Sequence, residues 1–183
     1  MISKTPKADK NLGQHYLNNQ HAIDSICTPP SQDCHILEIG PGPGTLTKQL
    51  SELGHDFQVI EKDKRFTENL LEILNEDQIL FQDGLSFDYS TLPEKTWIVS
   101  NLPYNISVPL TRAFATHQNV QWMSLMYQKE VAEKFLPPAN KKNPSSSLSC
   151  LFQTYFHITK LLTLGPQSFS PPPKVDSLSL IHI

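Results

Sequence analysis

The stretch Leu37-Glu38-Ile39-Gly40-Pro41-Gly42-Pro43-Gly44-Thr45-Leu46-Thr47 decides the fold. Its apolar start reads as a buried strand from His35 to Ile39, its glycines as a turn, and its end as the opening of a helix over Gly44 to Leu53. Gly54 is a C-cap signal, and the next apolar run, Phe57 to Glu61, ends on a carboxylate about 20 residues past the turn. Strand, glycine turn, helix, strand and terminal acid form the first half of a doubly wound, mostly parallel sheet. In such sheets ligands sit at the carboxyl ends of the strands.

The glycine spacing narrows the ligand. A dinucleotide fingerprint spaces its glycines G-x-G-x-x-G and aims backbone N–H groups at a pyrophosphate. Here the glycines alternate, and Pro41 and Pro43 have no N–H to offer. A ligand without phosphates fits better. S-adenosylmethionine is such a ligand, an adenosine joined to an amino acid that can lie across a close-approach glycine turn. Glu61 would take the ribose hydroxyls, and Asp83, which follows the third apolar run Gln78 to Gln82, would accept from the adenine amine. Singly, each acid reads as a solvated loop charge or a helix cap; three strand-end signals in register favour a site.

The third signal is Asn101-Leu102-Pro103-Tyr104, at the end of the apolar run Trp97-Ile98-Val99-Ser100. An asparagine oxygen accepts from an N–H donor, Leu102 and Pro103 offer backbone carbonyls, and Pro103 stiffens the turn. Tyr104 offers a stacking face. Together they suit a flat base with an exocyclic amine.

Beyond these motifs the pattern keeps alternating between strand and helix, as a parallel sheet covered on both faces requires. Helices are expected over Asn19 to Cys27, from near Asp63 with Phe66, Leu70, Leu71 and Leu74 in the core, over Ser107 to Thr116, Gln128 to Phe135 and Leu148 to Phe156. Further strands are expected over Gln121 to Tyr127, His157 to Leu164 and Val175 to Ile183, with a loop over Pro137 to Ser147. The 183 residues suffice for one buried core. No apolar run approaches the ~18 residues of a membrane helix, and the start lacks a signal-peptide core, so a cytoplasmic protein is expected. The three cysteines form no Cys-x-x-Cys pair and the seven histidines are scattered, so no metal is expected. Cys34-His35 reads as a small buried thiol beside a strand-edge imidazole.

The chain resembles the KsgA-type ribosomal RNA adenine dimethyltransferases, with the Erm methyltransferases as near relatives. The likeness runs through Asn11-Leu12-Gly13-Gln14-His15-Tyr16-Leu17, Glu38 to Gly44, Asn101-Leu102-Pro103-Tyr104-Asn105-Ile106-Ser107, Gln128 to Ala132, and Phe169-Ser170-Pro171-Pro172-Pro173-Lys174-Val175-Asp176-Ser177. It implies a Rossmann-like, seven-stranded sheet with an antiparallel last strand. Residues 1–30 would be an arm and first helix closing over the cofactor, and residues 31–183 the methyltransferase domain of a single-domain chain. It places His15 and Leu17 over the cofactor, Gly40 and Gly42 at its methionine end, Glu61 on its ribose and Asp83 on its adenine. Asn101 would lie between cofactor and substrate, and Phe169 would be the second stacking face opposite Tyr104.

The implied reaction is S-adenosylmethionine-dependent dimethylation of the exocyclic amines of two adjacent adenosines in 16S ribosomal RNA, by a monomer acting on the small subunit. The alternatives are an Erm-type enzyme acting on large-subunit RNA and a non-catalytic ribosome-assembly factor. Three departures from the family pattern stand out. Ser100 stands where the family usually has glycine, Ser145-Ser146-Ser147 where Tyr-Gly-Arg is common, and the sequence stops at Ile183 where the family continues into a small helical domain, which is expected to be absent from this chain. The formal net charge of −3 and pI near 6.1 give no global basic footprint for RNA. Local lysines must supply one: Lys4, Lys7 and Lys10 on the arm, and Lys129, Lys134, Lys141, Lys142 and Lys174 near the cleft.

Overall fold

The computed structural model describes residues 5–9, 12–137 and 146–182. In chain order the elements are β1 (Tyr16–Leu17), α1 (Gln20–Ile26), β2 (His35–Ile39), α2 (Thr47–Ser51), β3 (Phe57–Glu61), α3 (Thr67–Leu71), β4 (Ile79–Phe81) and β5 (Thr96–Asn101). They continue with α4 (Ser107–Ala115), β6 (Val120–Gln128), α5 (Lys129–Glu133), α6 (Ser147–Tyr155), β7 (Ile158–Leu164), β8 (Phe169–Ser170) and β9 (Ser177–His182). Short 3-10 turns link several of them.

Strand period explains the core. Successive side chains of a strand point to opposite faces, and a parallel sheet covered by helices buries both. In β2, Ile36 joins one apolar cluster with Val59, Trp97 and Val99, while Leu37 and Ile39 join the other with Ile60 and Ile98. The main sheet has seven strands in the order β4-β3-β2-β5-β6-β9-β7. Strands β4 to β6 in that order are parallel neighbours, and β9 lies antiparallel between β6 and β7. This is the expected sheet, last strand included.

The order reverses beside β2: the chain leaves it for β3 on one side, and β5 later pairs on the other. A crevice therefore opens where the turns after β2 and β5 diverge. Ser100 is fully buried there, and its hydroxyl donates to the Ile39 carbonyl at 2.6 Å. The Ser100 side chain thus joins the ends of β2 and β5.

Two local expectations need correction. Helix α2 starts at Thr47 rather than Gly44, because Gly44 has φ +89°, outside helical range. Leu71 is 47% exposed while Phe66, Leu70 and Leu74 are buried. The latter recur every four residues and make the core stripe; Leu71 falls beside it. A two-stranded ribbon, β1 with β8, was not foreseen and pairs Tyr16 with Ser170 and Leu17 with Phe169. The expectations placed on Lys4, Lys10, Asn11, Lys141, Lys142, Ser145 and Ile183 lie outside the described residues. Among the described residues no helix is long and apolar enough to cross a membrane, and no group of three or more His, Cys, Asp or Glu could hold a metal ion.

Candidate active site

The crevice is a pocket lined by the segment Leu12 to Leu17, the glycine turn, the ends of β3 and β4, and Asn101 to Ile106. Gly40 and Gly42 have φ of +68° and +56°, which a side chain would strain. Glu61 holds the turn. Its Oε2 accepts from Gly42 N at 2.9 Å and its Oε1 from Asp63 N at 2.7 Å. Burial raises the Glu61 pKa, and these two N–H donors pull it back toward the charged form. Each oxygen keeps acceptor capacity, so ribose hydroxyls fit here beside a turn that is already fixed.

Glu38 was not singled out from sequence, yet it lines the same pocket. Its Oε2 accepts from Thr47 Oγ1 at 2.7 Å, and burial pushes its pKa up to about 8. A carboxylate inside an unbroken apolar strand was the available signal. Asp83 lies at the far rim: its Oδ2 accepts from Lys62 Nζ at 2.8 Å and its Oδ1 from Leu85 N at 3.0 Å. The Lys62 ammonium, then the Leu85 N–H, hold its carboxyl below the ordinary value.

The N-terminal segment crosses the pocket on a polar network. Gln14 Nε2 donates to Asp63 Oδ2 at 2.9 Å, and Gln14 Oε1 accepts from Tyr16 Oη at 2.9 Å and from Asp9 N at 2.8 Å. Arg65 grips Asp63 through Nε and Nη2 and donates from Nη1 to the Lys7 carbonyl at 3.2 Å. The Arg65 guanidinium, with Gln14, lowers Asp63 to about 2.

At the other end Asn101 is only half bonded. Its Nδ2 donates to the His15 carbonyl at 2.8 Å, and because a carbonyl can only accept, the amide orientation is determined. Its Oδ1 is buried and has no partner among the described residues. Tyr104 stands beside it, ring stacked on His15 at a centroid distance of 5.3 Å and 24° between planes, its hydroxyl 2.5 Å from Ser177 Oγ. His15 Nδ1 donates to the Pro171 carbonyl at 2.8 Å. Leu102 is buried, and the Pro103 carbonyl already accepts from Ile106 N at 3.1 Å.

The structure thus brings His15, Leu17, Gly40, Gly42, Glu61, Asp83 and Asn101 to Tyr104 around one pocket. Phe169 is the exception, and the expectation of a second stacking face there is corrected in this arrangement. It is 3% exposed and packs in a core cluster with Leu17. Pairing with Leu17 turns its ring inward, and Ser170 takes the exposed side.

The antiparallel β9 sets this sheet apart from a dinucleotide-binding one and makes the fold that of a Rossmann-like methyltransferase. Solved structures agree. A dimethyladenosine transferase from Plasmodium falciparum superposes with a TM-score of 0.78 at 29% identity, covering 92% of this chain and 63% of that one. The 23S rRNA methyltransferase ErmE has the same fold, with a TM-score of 0.76 at 22% identity, covering 91% of this chain and 68% of that one. Within that class, the chain belongs to the ribosomal RNA adenine dimethylase family, whose model matches residues 5–183. It is 38% identical to the ribosomal RNA small subunit methyltransferase A of Buchnera aphidicola subsp. Baizongia pistaciae over 178 residues, 93% of this chain and 68% of that protein. The protein of the same name from Vibrio atlanticus (strain LGP32) is 37% identical over 180 residues, 93% of this chain and 66% of that protein. The chain spans about two thirds of the length of these curated relatives.

Proposed function

We propose that this chain carries the catalytic domain of an S-adenosylmethionine-dependent enzyme that dimethylates the exocyclic amines of two adjacent adenosines in small-subunit ribosomal RNA. The observation that carries the reading is Asn101 Oδ1, a buried acceptor at the end of β5 for which the described residues supply no donor. Family membership and the names of the relatives support the substrate class.

The residues present fit the cofactor. Glu61 has acceptor capacity for ribose hydroxyls, Asp83 for an adenine amine, and the open turn at Gly40 and Gly42 leaves room for the amino-acid end. His15 and Leu17 close the pocket above it. When bound, the cofactor supplies an electrophilic methyl group on a sulfonium. The chain's own residues act on the nucleophile. An adenine amine is weakly nucleophilic because its lone pair is delocalised into the ring. Asn101 Oδ1 accepts one N–H and the carbonyl of Leu102 or Pro103 the other, which orients the nitrogen and localises its lone pair. Positioning and electrostatics of this kind need no covalent intermediate. Tyr104 gives the base a face once it has left its stack, at the position His15 covers here. The proton passes to water after transfer, and a second transfer requires the site to readmit an amine with one N–H fewer.

The reading makes the protein a cytoplasmic monomer acting on the small ribosomal subunit, with Lys7, Lys129, Lys134 and Lys174 as phosphate contacts. Its test is methyl transfer from labelled S-adenosylmethionine to undermethylated ribosomal subunits, followed by mapping of the modified nucleoside. Dimethyladenosine in small-subunit RNA is the expected product. Modification of large-subunit RNA alone would establish the Erm-type activity instead, and cofactor binding without transfer to either subunit would favour an assembly role.

A further inference from the structure

Tyr104 gives the target base its face in the reading above, yet it stands in the turn between β5 and α4 rather than in the sheet. A face on a turn orients a base only if something stiff holds it. The Tyr104 carbonyl accepts from Ser107 Oγ at 3.3 Å, which ties its backbone to the start of α4 but leaves the ring its side-chain torsions. The far end of the ring is held from elsewhere. Its hydroxyl lies 2.5 Å from Ser177 Oγ, 73 positions along the chain.

Ser177 opens β9 with no exposed surface, and it is paired on both sides, with Gln128 of β6 and Leu164 of β7. One residue earlier the Asp176 carbonyl accepts from Lys129 N at 2.9 Å and joins this corner to the start of α5. Burial raises the Tyr104 pKa, so its hydroxyl stays protonated and either it or Ser177 can donate. The antiparallel strand therefore carries the stiffness of the sheet to a ring that stands on a turn. His15 also touches the ring, stacked on one face, but it stands where the base is to lie. The bond to Ser177 is the tie that a bound base leaves in place.

We propose that Ser177 is a positioning residue for methyl transfer: through the Tyr104 hydroxyl it fixes the ring plane against which the target adenine lies, and so the aim of its amine at Asn101 Oδ1 and the cofactor. Ser177 itself lies outside the pocket lining and acts through Tyr104. The inference rests on the stacking role given to Tyr104 above.

The test is a double-variant cycle on the full chain, reading kcat and KM for methyl transfer to undermethylated small subunits and, separately, binding of S-adenosylhomocysteine. Ser177→Ala and Tyr104→Phe each delete one half of the hydrogen bond and keep the ring. Each should lower kcat about three- to tenfold, the net worth of one hydrogen bond. KM for the subunit should stay near native, because phosphate contacts dominate RNA affinity. The double variant should lose no more than either single one, since both remove the same bond. Affinity for S-adenosylhomocysteine should stay near native in all three. Tyr104→Ala, which removes the face itself, should lose more transfer than any of them. Losses that multiply in the double variant, or native kcat in either single variant, would overturn the proposal and leave the stacking reading intact. Tyr104→Phe decides alone if Ser177→Ala does not fold, because it leaves the strand untouched. Transfer at the native rate by Tyr104→Ala, or none by the native chain, would overturn the stacking reading and the proposal with it.

Discussion

The two ends of the pocket are completed to different degrees. At the cofactor end Glu61 and Asp83 each have both oxygens engaged by donors of the chain itself, and Glu38 accepts from Thr47. At the substrate end the Asn101 amide is anchored through nitrogen while its oxygen is buried with no partner among the described residues. A satisfied network keeps its shape before any ligand arrives. An unsatisfied buried acceptor carries a desolvation cost of about 1–3 kcal/mol, which an arriving donor removes. The difference separates a preformed binding surface from an acceptor in the pocket for which the described residues supply no donor.

The largest effect expected tests which residues belong to the open end. Phe169→Ala should cost about 3–5 kcal/mol of stability, measured by urea unfolding, because it empties a core position. A stable variant whose only defect was a raised KM for RNA would move Phe169 to the substrate end and break the comparison there. Glu61→Ala should weaken S-adenosylhomocysteine binding about tenfold or more, through loss of charged hydrogen bonds and of the Gly42 tether. Native affinity in that variant would show that the closed end is scaffold alone.

The smallest effect concerns Glu38, whose pKa burial raises from 4.5 to about 8. Between those values the folded chain keeps a proton that the unfolded chain gives up, so Glu38 makes stability fall as pH rises, with the full penalty reached above the folded pKa. Its favourable contribution is complete below the unfolded value. Glu38→Gln should flatten the pH dependence of the denaturation midpoint between about pH 5 and 8, by about 1 kcal/mol or more across the window. An unchanged slope would mean that the carboxylate is hydrated or paired when ionised.

The central strands β2, β3 and β5 were legible because each is an apolar run buried on nearly its whole length, and the glycine turn because its spacing and prolines suit a phosphate cradle poorly. Asn101 was legible as a polar residue ending such a run. What escaped depends on contacts distant in sequence. An aromatic before three prolines reads alike in a cleft or a core, and only pairing of Leu17 with Phe169 decides between them. Lys62 and Asp83 are 21 positions apart and meet only because β3 and β4 run parallel in register. Glu38 was hidden by its neighbours: among Leu37 and Ile39 it reads as part of the strand, although a carboxylate there must be protonated, bonded or functional.

The most direct test of the central claim pairs two readings on native chain and Asn101→Ala: methyl transfer to undermethylated small subunits and binding of S-adenosylhomocysteine. If Asn101 Oδ1 accepts from the target amine, the variant should lose about 100-fold or more in transfer, the effect of removing a positioned dipole, while its affinity for the cofactor product stays close to native. Transfer at the native rate, or a loss of binding equal to the loss of transfer, would contradict the account.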